Sequence, residues 1–496
     1  MERIRKGLAL ASPIPQRIIC TSMIVLYIVL LLDCGVQAQI LLSADYTDST
    51  NARQEIKYHL NVFNRITPIK GIKVTPTRGT PKVCVVRPLG GTAKNGRADL
   101  TKDSYKWDAR TRTFYTDFTL LKKQIDTIFR KGLGLHQLVL DNPSWAFQRD
   151  HRGKLIGDSL KVSTYGNALP PRSYTAWAVY LKEVMHFLLE TYGRDKLAMT
   201  QFGIGREIGT PTHWSGTQLQ FFEFYKVSVE AIKEVLPNAT VGTHFLWGSS
   251  NKSWGPDFIK WAKNNHVHYD FIGVSYYPFY NQKGRTDFNE VYAKDFAVIK
   301  DIPEWNKNAK LEMHEFALIK TLGKAGNSFE SAPRAHQNAF MIGLNKMFLE
   351  NGMENVFQWG NGDSYKQAGE ALFELKNQDY YHSQKSGTQR SRDNYVEAIF
   401  SATKNRTGLG ITAYNYNANP NFDQGEDIML QATIDAEPGT SFKYRSALYD
   451  KNQDIAIKSQ WNETVTTGSK PGESIIKFRT FLPAFSFLRY EIAIAE

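Results

Sequence analysis

Residues 199–211 read MTQFGIGREIGTP. An apolar run ends in a Gly-flanked turn, with Arg206 and Glu207 side by side at its tip. A buried strand that finishes on a carboxylate asks what that carboxylate does. Its neighbours in the chain repeat one grammar: a short apolar strand, a polar or Gly/Pro-rich loop, an amphipathic helix.

Eight strands are expected, at 58–66, 82–88, 136–141, 198–204, 240–247, 270–277, 310–316 and 355–360. Several are continuous apolar runs, as parallel strands covered on both faces should be. Helices are expected between them. The segment 117–133 stops at Gly132, 173–193 starts on a Ser cap and ends on Gly193, and 218–236 and 333–352 show the same spacing. Strand–helix alternation of this length predicts an α/β fold, a (β/α)8 TIM barrel. A doubly wound open sheet is the alternative. It usually carries a Gly-rich phosphate loop after its first strand, and none is found.

After about residue 400 the helical spacing ends. Short alternating strands separated by Asn, Gly, Pro and Asp predict a C-terminal antiparallel β-sandwich. The resulting division is 1–38 a signal peptide, 39–56 a strand joining the sandwich, 57–385 the barrel and 386–496 the sandwich.

The chain has 496 residues with 10 Trp, 24 Tyr and 29 Phe, enough rings for cores and for flat platforms on which sugars or bases can stack. Its net charge of +12 favours a polyanionic partner, or else is a basic surface with no dedicated one. The positive residues are scattered, which argues against nucleic acid. Arg3, Arg5, Lys6 and Arg17 precede an apolar segment ending in Val36-Gln37-Ala38. This reads as a secretory signal cleaved after Ala38, with an uncleaved anchor as the alternative. No later run is long enough to span a bilayer, so no integral membrane domain is expected after cleavage. The mature chain keeps one cysteine, Cys84, in an apolar strand, where a structural role is expected.

Active groups of a (β/α)8 barrel sit at the C-terminal ends of the strands. The expected strand ends carry Arg87; Asp141, Asn142 and Trp145; Arg206 and Glu207; His244 and Trp247; Tyr276 and Tyr277; His314 and Glu315; and Gln358, Trp359 and Asn361. Two glutamates on opposed strands suit glycoside hydrolysis. One carboxylic acid protonates the leaving oxygen while the other, as an anion, attacks the sugar carbon. A separation of about 5–5.5 Å would give retention through a covalent glycosyl-enzyme. The plain alternative is a salt bridge at each strand end.

The segments at 115–133, 170–193 and 213–242, with YDFIGVSYYP (269–278) and LEMHEFA (311–317), resemble in order the helices and strands of clan-A glycoside hydrolases. They are most similar to family 39, of β-xylosidase and α-iduronidase type, with agarase and porphyranase families as related barrels. The resemblance implies a retaining hydrolase that needs no cofactor or metal. Glu207 would be its acid/base and Glu315 its nucleophile. Tyr277 would hydrogen-bond the nucleophile, and Trp359 would stack on the sugar. From their own places at strand ends, Arg87, Asn142, Trp145, His244 and Trp247, with His213 in a loop on the same face, are expected to line the substrate site.

Two positions depart from the family pattern. Arg206 stands where the family has the Asn that grips the 2-hydroxyl, and Ser275 replaces the His of strand 6. Arg206 offers a forked, permanently charged donor face suited to carboxylate or sulfate. With the basic balance it points to an anionic polysaccharide or oligosaccharide, a sulfated galactan or a uronic-acid glycan. Glu207 is expected to stay neutral between apolar walls, with Arg206 aimed at substrate rather than at Glu207.

His213, Trp214 and Trp254 are expected in loops on the active face, as sugar platforms or as packing. His266 and His268 have two-ligand spacing but no third ligand, so they read as a surface loop. His151 and Arg152 lie in a polar loop. The rival readings are a non-catalytic glycan-binding protein on a degenerate barrel and a lyase on uronic-acid polymers.

Overall fold

A computed structural model describes residues 39–494 apart from 49, 51, 56–59, 65–81, 151, 156–161, 247–253, 279–286, 323–328, 354, 359–367, 369–370, 372–374, 376–377, 391–393, 418, 420, 422–423, 438, 451–455, 465 and 468–472. The expected signal peptide, His151, Trp247, Trp359 and Asn361 lie outside the described residues.

Eight strands close into one barrel: β1 (Leu60–Asn64), β2 (Lys82–Val86), β3 (Gly134–Leu140), β4 (Gln201–Ile208), β5 (Thr240–Phe245), β6 (Phe271–Tyr276), β7 (Lys310–Phe316) and β8 (Val356–Gln358). Each pairs in parallel with its neighbours in chain order, and β8 closes on β1 through Val356 opposite Leu60. The expected strands and observed strands coincide to within a few residues. β4 runs further than its apolar letters, because Arg206 and Glu207 are themselves part of the strand.

Helices cover the barrel: α1 (Thr119–Arg130), α2 (Tyr174–Tyr192), α3 (Gln218–Val235), α4 (Trp254–Asn264) and α5 (Arg334–Glu350). The Ser173 hydroxyl caps α2 by accepting from the Ala176 amide, and Thr217 and Gln220 form a reciprocal capping box at the start of α3. α2 buries Trp177, Tyr180 and Leu181, and the Trp177 indole donates to the Ser228 hydroxyl of α3 at 2.8 Å. Trp254 sits on a helix rather than in a loop.

Beyond the barrel lie two further sheets. In one, strand Gln39–Asp45 runs parallel to β11 (Glu426–Asp435), which pairs antiparallel with β13 (Glu473–Leu482). The other contains β9 (Tyr395–Ala402), β10 (Gly408–Tyr416), β12 (Ser441–Tyr449) and β14 (Ser486–Ile494). Alternate residues such as Ile40, Leu42, Ile428 and Leu430 of the first meet Phe400, Ile411 and Tyr490 of the second in a shared apolar core. Strand Asp379–Tyr381 already pairs with β9, so the chain leaves the barrel before the expected boundary at 386. α5 joins the two parts: Phe340 packs on Tyr416 with ring centroids 5.7 Å apart. The Lys346 ammonium, buried, lies 2.6 Å from Glu350 and 3.4 Å from Glu397.

Candidate active site

Two irregularities in the barrel build the mouth. The first is at the end of β4. Its pairing with β5 is regular to Ile204 and resumes at Ile208. Between them Gly205 has φ +76° and Glu207 φ +45°. Glycine takes this left-handed conformation without a steric penalty. A glutamate does so at a cost of about 1–3 kcal/mol, which the surrounding structure must sustain. Arg87 and Asn142, at the ends of β2 and β3, have φ +55° and +49°. Three adjacent strands thus end on a non-glycine residue in the left-handed region, a concentration of strain expected at a functional site.

The second irregularity lies between β6 and β7. Val274 pairs with Met313, but Ser275 pairs with Glu315, skipping His314. Such a bulge re-aims side chains. His314 and Glu315, though consecutive, both reach polar partners. The His314 Nε2 lies 2.8 Å from Glu312 Oε2, and Glu315 meets the mouth.

Glu315 is 1% exposed. Arg206 grips it with a fork: Nε donates to Oε1, and Nη2 donates to Oε2 at 3.3 Å. The Tyr277 hydroxyl also donates to Oε2. Burial pushes the Glu315 pKa up, and so does the charge of Glu207, while Arg206 and Tyr277 hold it back. Charge-assisted donors of this number favour the anion. Burial drives the Tyr277 pKa well above the ordinary phenol value, so it remains a donor.

Glu207 has different company. Its Oε1 accepts from the Ser275 hydroxyl at 2.8 Å, and Ser275 Oγ lies 2.8 Å from His244 Nε2. Its Oε2 lies 3.2 Å from His213 Nε2. Burial pushes the Glu207 pKa up, but His213, Arg206 and His244 outweigh it and hold the carboxyl well below its usual range. The expected neutral Glu207 is therefore corrected for the free protein. The walls around its oxygens are hydrogen-bond donors, not apolar groups. Arg206 does avoid a fork on Glu207, as expected, but its fork goes to Glu315.

Other expected site residues divide. Arg87 donates through Nε to Asn142 Oδ1 at 2.9 Å, and its amide donates to Asp141 Oδ1 at 2.7 Å. Asn142 Nδ2 donates to the Asn167 carbonyl at 2.9 Å. These residues tie the loops after β2 and β3 together at the mouth. Trp145, expected to line the substrate site, lies in the core: it is 1% exposed and its indole donates to the Thr92 carbonyl at 2.8 Å. Trp214 is buried likewise, its indole donating to the Thr217 carbonyl. His268 pairs with Asp270 at 2.7 Å. Among the described residues no group of three or more His, Cys, Asp or Glu could hold a metal ion.

Sequence reasoning missed Tyr165. Its ring stacks on His213 with centroids 4.2 Å apart, and the guanidinium carbons of Arg87 and Arg206 lie 5.4 and 5.8 Å from its centre. It sits in an irregular stretch anchored by Asn167, whose amide donates to the Gly91 carbonyl at 2.7 Å. No periodic pattern marks such a residue. The turn letters of GNALPP, just after it, were the available signal.

The family model of glycosyl hydrolases family 39 matches residues 142–317, which include both glutamates. The α-1,4-L-rhamnosidase of Formosa agariphila is 60% identical over 459 residues, 92% of this chain and 94% of its own length. The protein belongs to glycosyl hydrolases family 39. Family membership makes it a glycoside hydrolase acting on a glycan, and the reading as a non-catalytic barrel gives way. A β-xylosidase of Geobacillus stearothermophilus is 25% identical over 166 residues, 33% of this chain and 31% of that protein. In fold, the family 39 enzyme of Xanthomonas axonopodis pv. citri matches with a TM-score of 0.62 at 13% identity, covering 92% of this chain and 97% of that one. A monomeric β-xylosidase of Caulobacter crescentus matches with a TM-score of 0.57 at 13% identity, covering 91% and 99%. At such identities the likeness is one of fold alone.

Proposed function

We propose that the protein is a secreted, retaining α-L-rhamnosidase acting on α-1,4-linked rhamnosyl groups of an anionic glycan. The observation that carries the mechanism is the unlike company of the two carboxylates. Arg206 and Tyr277 donate to Glu315 and favour its anion, the form a nucleophile needs. Glu207, linked to neutral donors at both oxygens, faces the leaving group. Its burial opposes these donors and drives the carboxyl toward the acid form. Protonated Glu207 gives its proton to the glycosidic oxygen as Glu315 attacks the anomeric carbon. Glu207 then takes a proton from the water that releases the sugar. The sugar itself is suggested by the α-1,4-L-rhamnosidase activity of the relative at 60% identity.

Rhamnose is an uncharged 6-deoxy sugar, and the described charges around the mouth suit it. Arg87 and Arg206 stand against Asp141, Glu207 and Glu315, so no net positive charge faces the cleaved residue. The anion reading therefore no longer rests on Arg206. It rests on the chain's net charge of +12, and places the acidic groups on the remainder of the glycan rather than on the sugar released. Secretion rests on the basic-then-apolar N-terminus ending at Ala38. The two extra sheets are read as a β-sandwich that supports the barrel.

The test is to incubate the protein with α-1,4-rhamnosyl oligosaccharides, neutral and uronate-bearing, and follow the first-formed sugar by proton NMR. Rhamnose released first as the α-anomer, faster from the acidic substrate, is the expected result. Release first as the β-anomer would overturn retention, and no rhamnose from any substrate would overturn the sugar assignment.

A further inference from the structure

His213 was expected to touch sugar. Its surroundings give it another task. It lies in the turn after β4, where its amide donates to the Thr210 carbonyl at 2.9 Å. The residue is 6% exposed. One ring face is covered by Tyr165, with an interplanar angle of 19°. Nε2 points to Glu207 Oε2, while Nδ1 is buried with no hydrogen-bond partner among the described residues. A buried N–H without an acceptor costs more than a buried lone pair left alone, so the ring proton belongs on Nε2. Burial, with Arg206 and Arg87 nearby, also disfavours the imidazolium.

Resting on the reading of Glu207 as acid/base, we propose that His213 is a positioning residue for it: clamped under Tyr165, its Nε2–H fixes one oxygen of Glu207 while the Ser275 hydroxyl fixes the other. A carboxyl group offers about four lone-pair sites on its two oxygens. One donor on each oxygen sets the plane of the group. The acidic proton is then restricted to a direction not taken by Ser275 or His213, toward the open mouth. The donor on Oε1 is itself backed by His244, so the plane is set by side chains of β5, β6 and the turn after β4. The charged and titratable groups that face this pair are Arg206 of β4, His244 of β5, Tyr277 after β6, Glu315 of β7, and Arg87 and Asp141 from the ends of β2 and β3.

The experiment compares H213Q, H213N and H213F. The Gln amide nitrogen can stand where Nε2 stands, the Asn amide cannot reach, and Phe keeps the stack on Tyr165 without a donor. General acid–base catalysis contributes about 10²–10⁴-fold, and a misdirected proton should forfeit about tenfold or more of it. H213F and H213N should lose that much kcat/KM on natural glycosides. They should lose much less on aryl rhamnosides whose phenolate leaves unaided, and the basic limb of the pH profile should move to higher pH. H213Q should recover to within about threefold on the natural glycoside. Thermal unfolding of each variant reports whether it folds. A folded H213F with the parent's pH profile and leaving-group dependence would overturn the proposal, as would H213Q behaving like H213F. If E207A itself left natural glycoside hydrolysis unchanged, the reading of Glu207 would fail instead.

Discussion

The guanidinium of Arg206 forks both oxygens of Glu315, a residue 109 positions away, and not the carboxylate of its chain neighbour Glu207. Adjacent side chains on a strand ordinarily point to opposite faces. Here the left-handed turn at Gly205 and Glu207 breaks that alternation and lets both reach the mouth. The two glutamates thus receive separate partners, and their charges can differ.

This separation can be tested at Arg206. In R206M, Glu315 loses its charged fork, and its pKa should rise further above the usual carboxylate value. A nucleophile must be ionised, so the acid limb of kcat/KM should move to higher pH, with a loss of about 10²-fold at neutrality. R206K keeps the charge but not the fork and should fall between. A parent-like pH profile for R206M would separate Arg206 from the nucleophile.

Tyr277 makes a smaller contribution to the same oxygen. Y277F removes one neutral donor and no charge, worth roughly tenfold in kcat. The acid limb should again move up, by less than in R206M. Steady-state kinetics across pH on the same substrate ranks the two, and a larger effect in Y277F would contradict the order of strength argued from charge.

Asp103 gives a stability prediction. It is 4% exposed, and its two oxygens accept the amides of Gly91 and Trp145, each at 2.8 Å. Burial outweighs these bonds and raises its pKa from 3.8 to about 7. The folded state then holds a proton that the unfolded state has released between these values, so this group makes stability fall as pH rises from about 4 to 7. In D103N that slope should flatten. Chemical denaturation at several pH values measures it, and an unchanged slope would show that Asp103 titrates normally.

Gly273 of β6 lies under the His314 ring. A Cβ added there would meet His314 Nδ1 at 2.2 Å. The ring is held by Glu312 and packed on His244, whose centroid is 5.1 Å away, so it has little room to yield. G273A should cost about 1–3 kcal/mol by overpacking. It should also lower kcat, because His244 backs Ser275 on Glu207. A variant with parent melting temperature and parent kcat would mean that the barrel interior adjusts freely.

The chain by itself determined the architecture. Apolar runs of strand length, a helix with a legible cap at Ser173, and Gly stops at 132 and 193 are local consequences of which faces must leave water, so they can be read from neighbouring letters. The same logic put Glu207 and Glu315 at strand ends. The tertiary structure decided what those residues meet. The partner of Arg206, the skipped pairing at His314, the burial of Trp145 and the placing of Tyr165 over His213 all depend on barrel closure and on register between distant segments. A hydrogen bond between residues far apart in the chain leaves no period in the sequence. It exists only once the eight strands have closed.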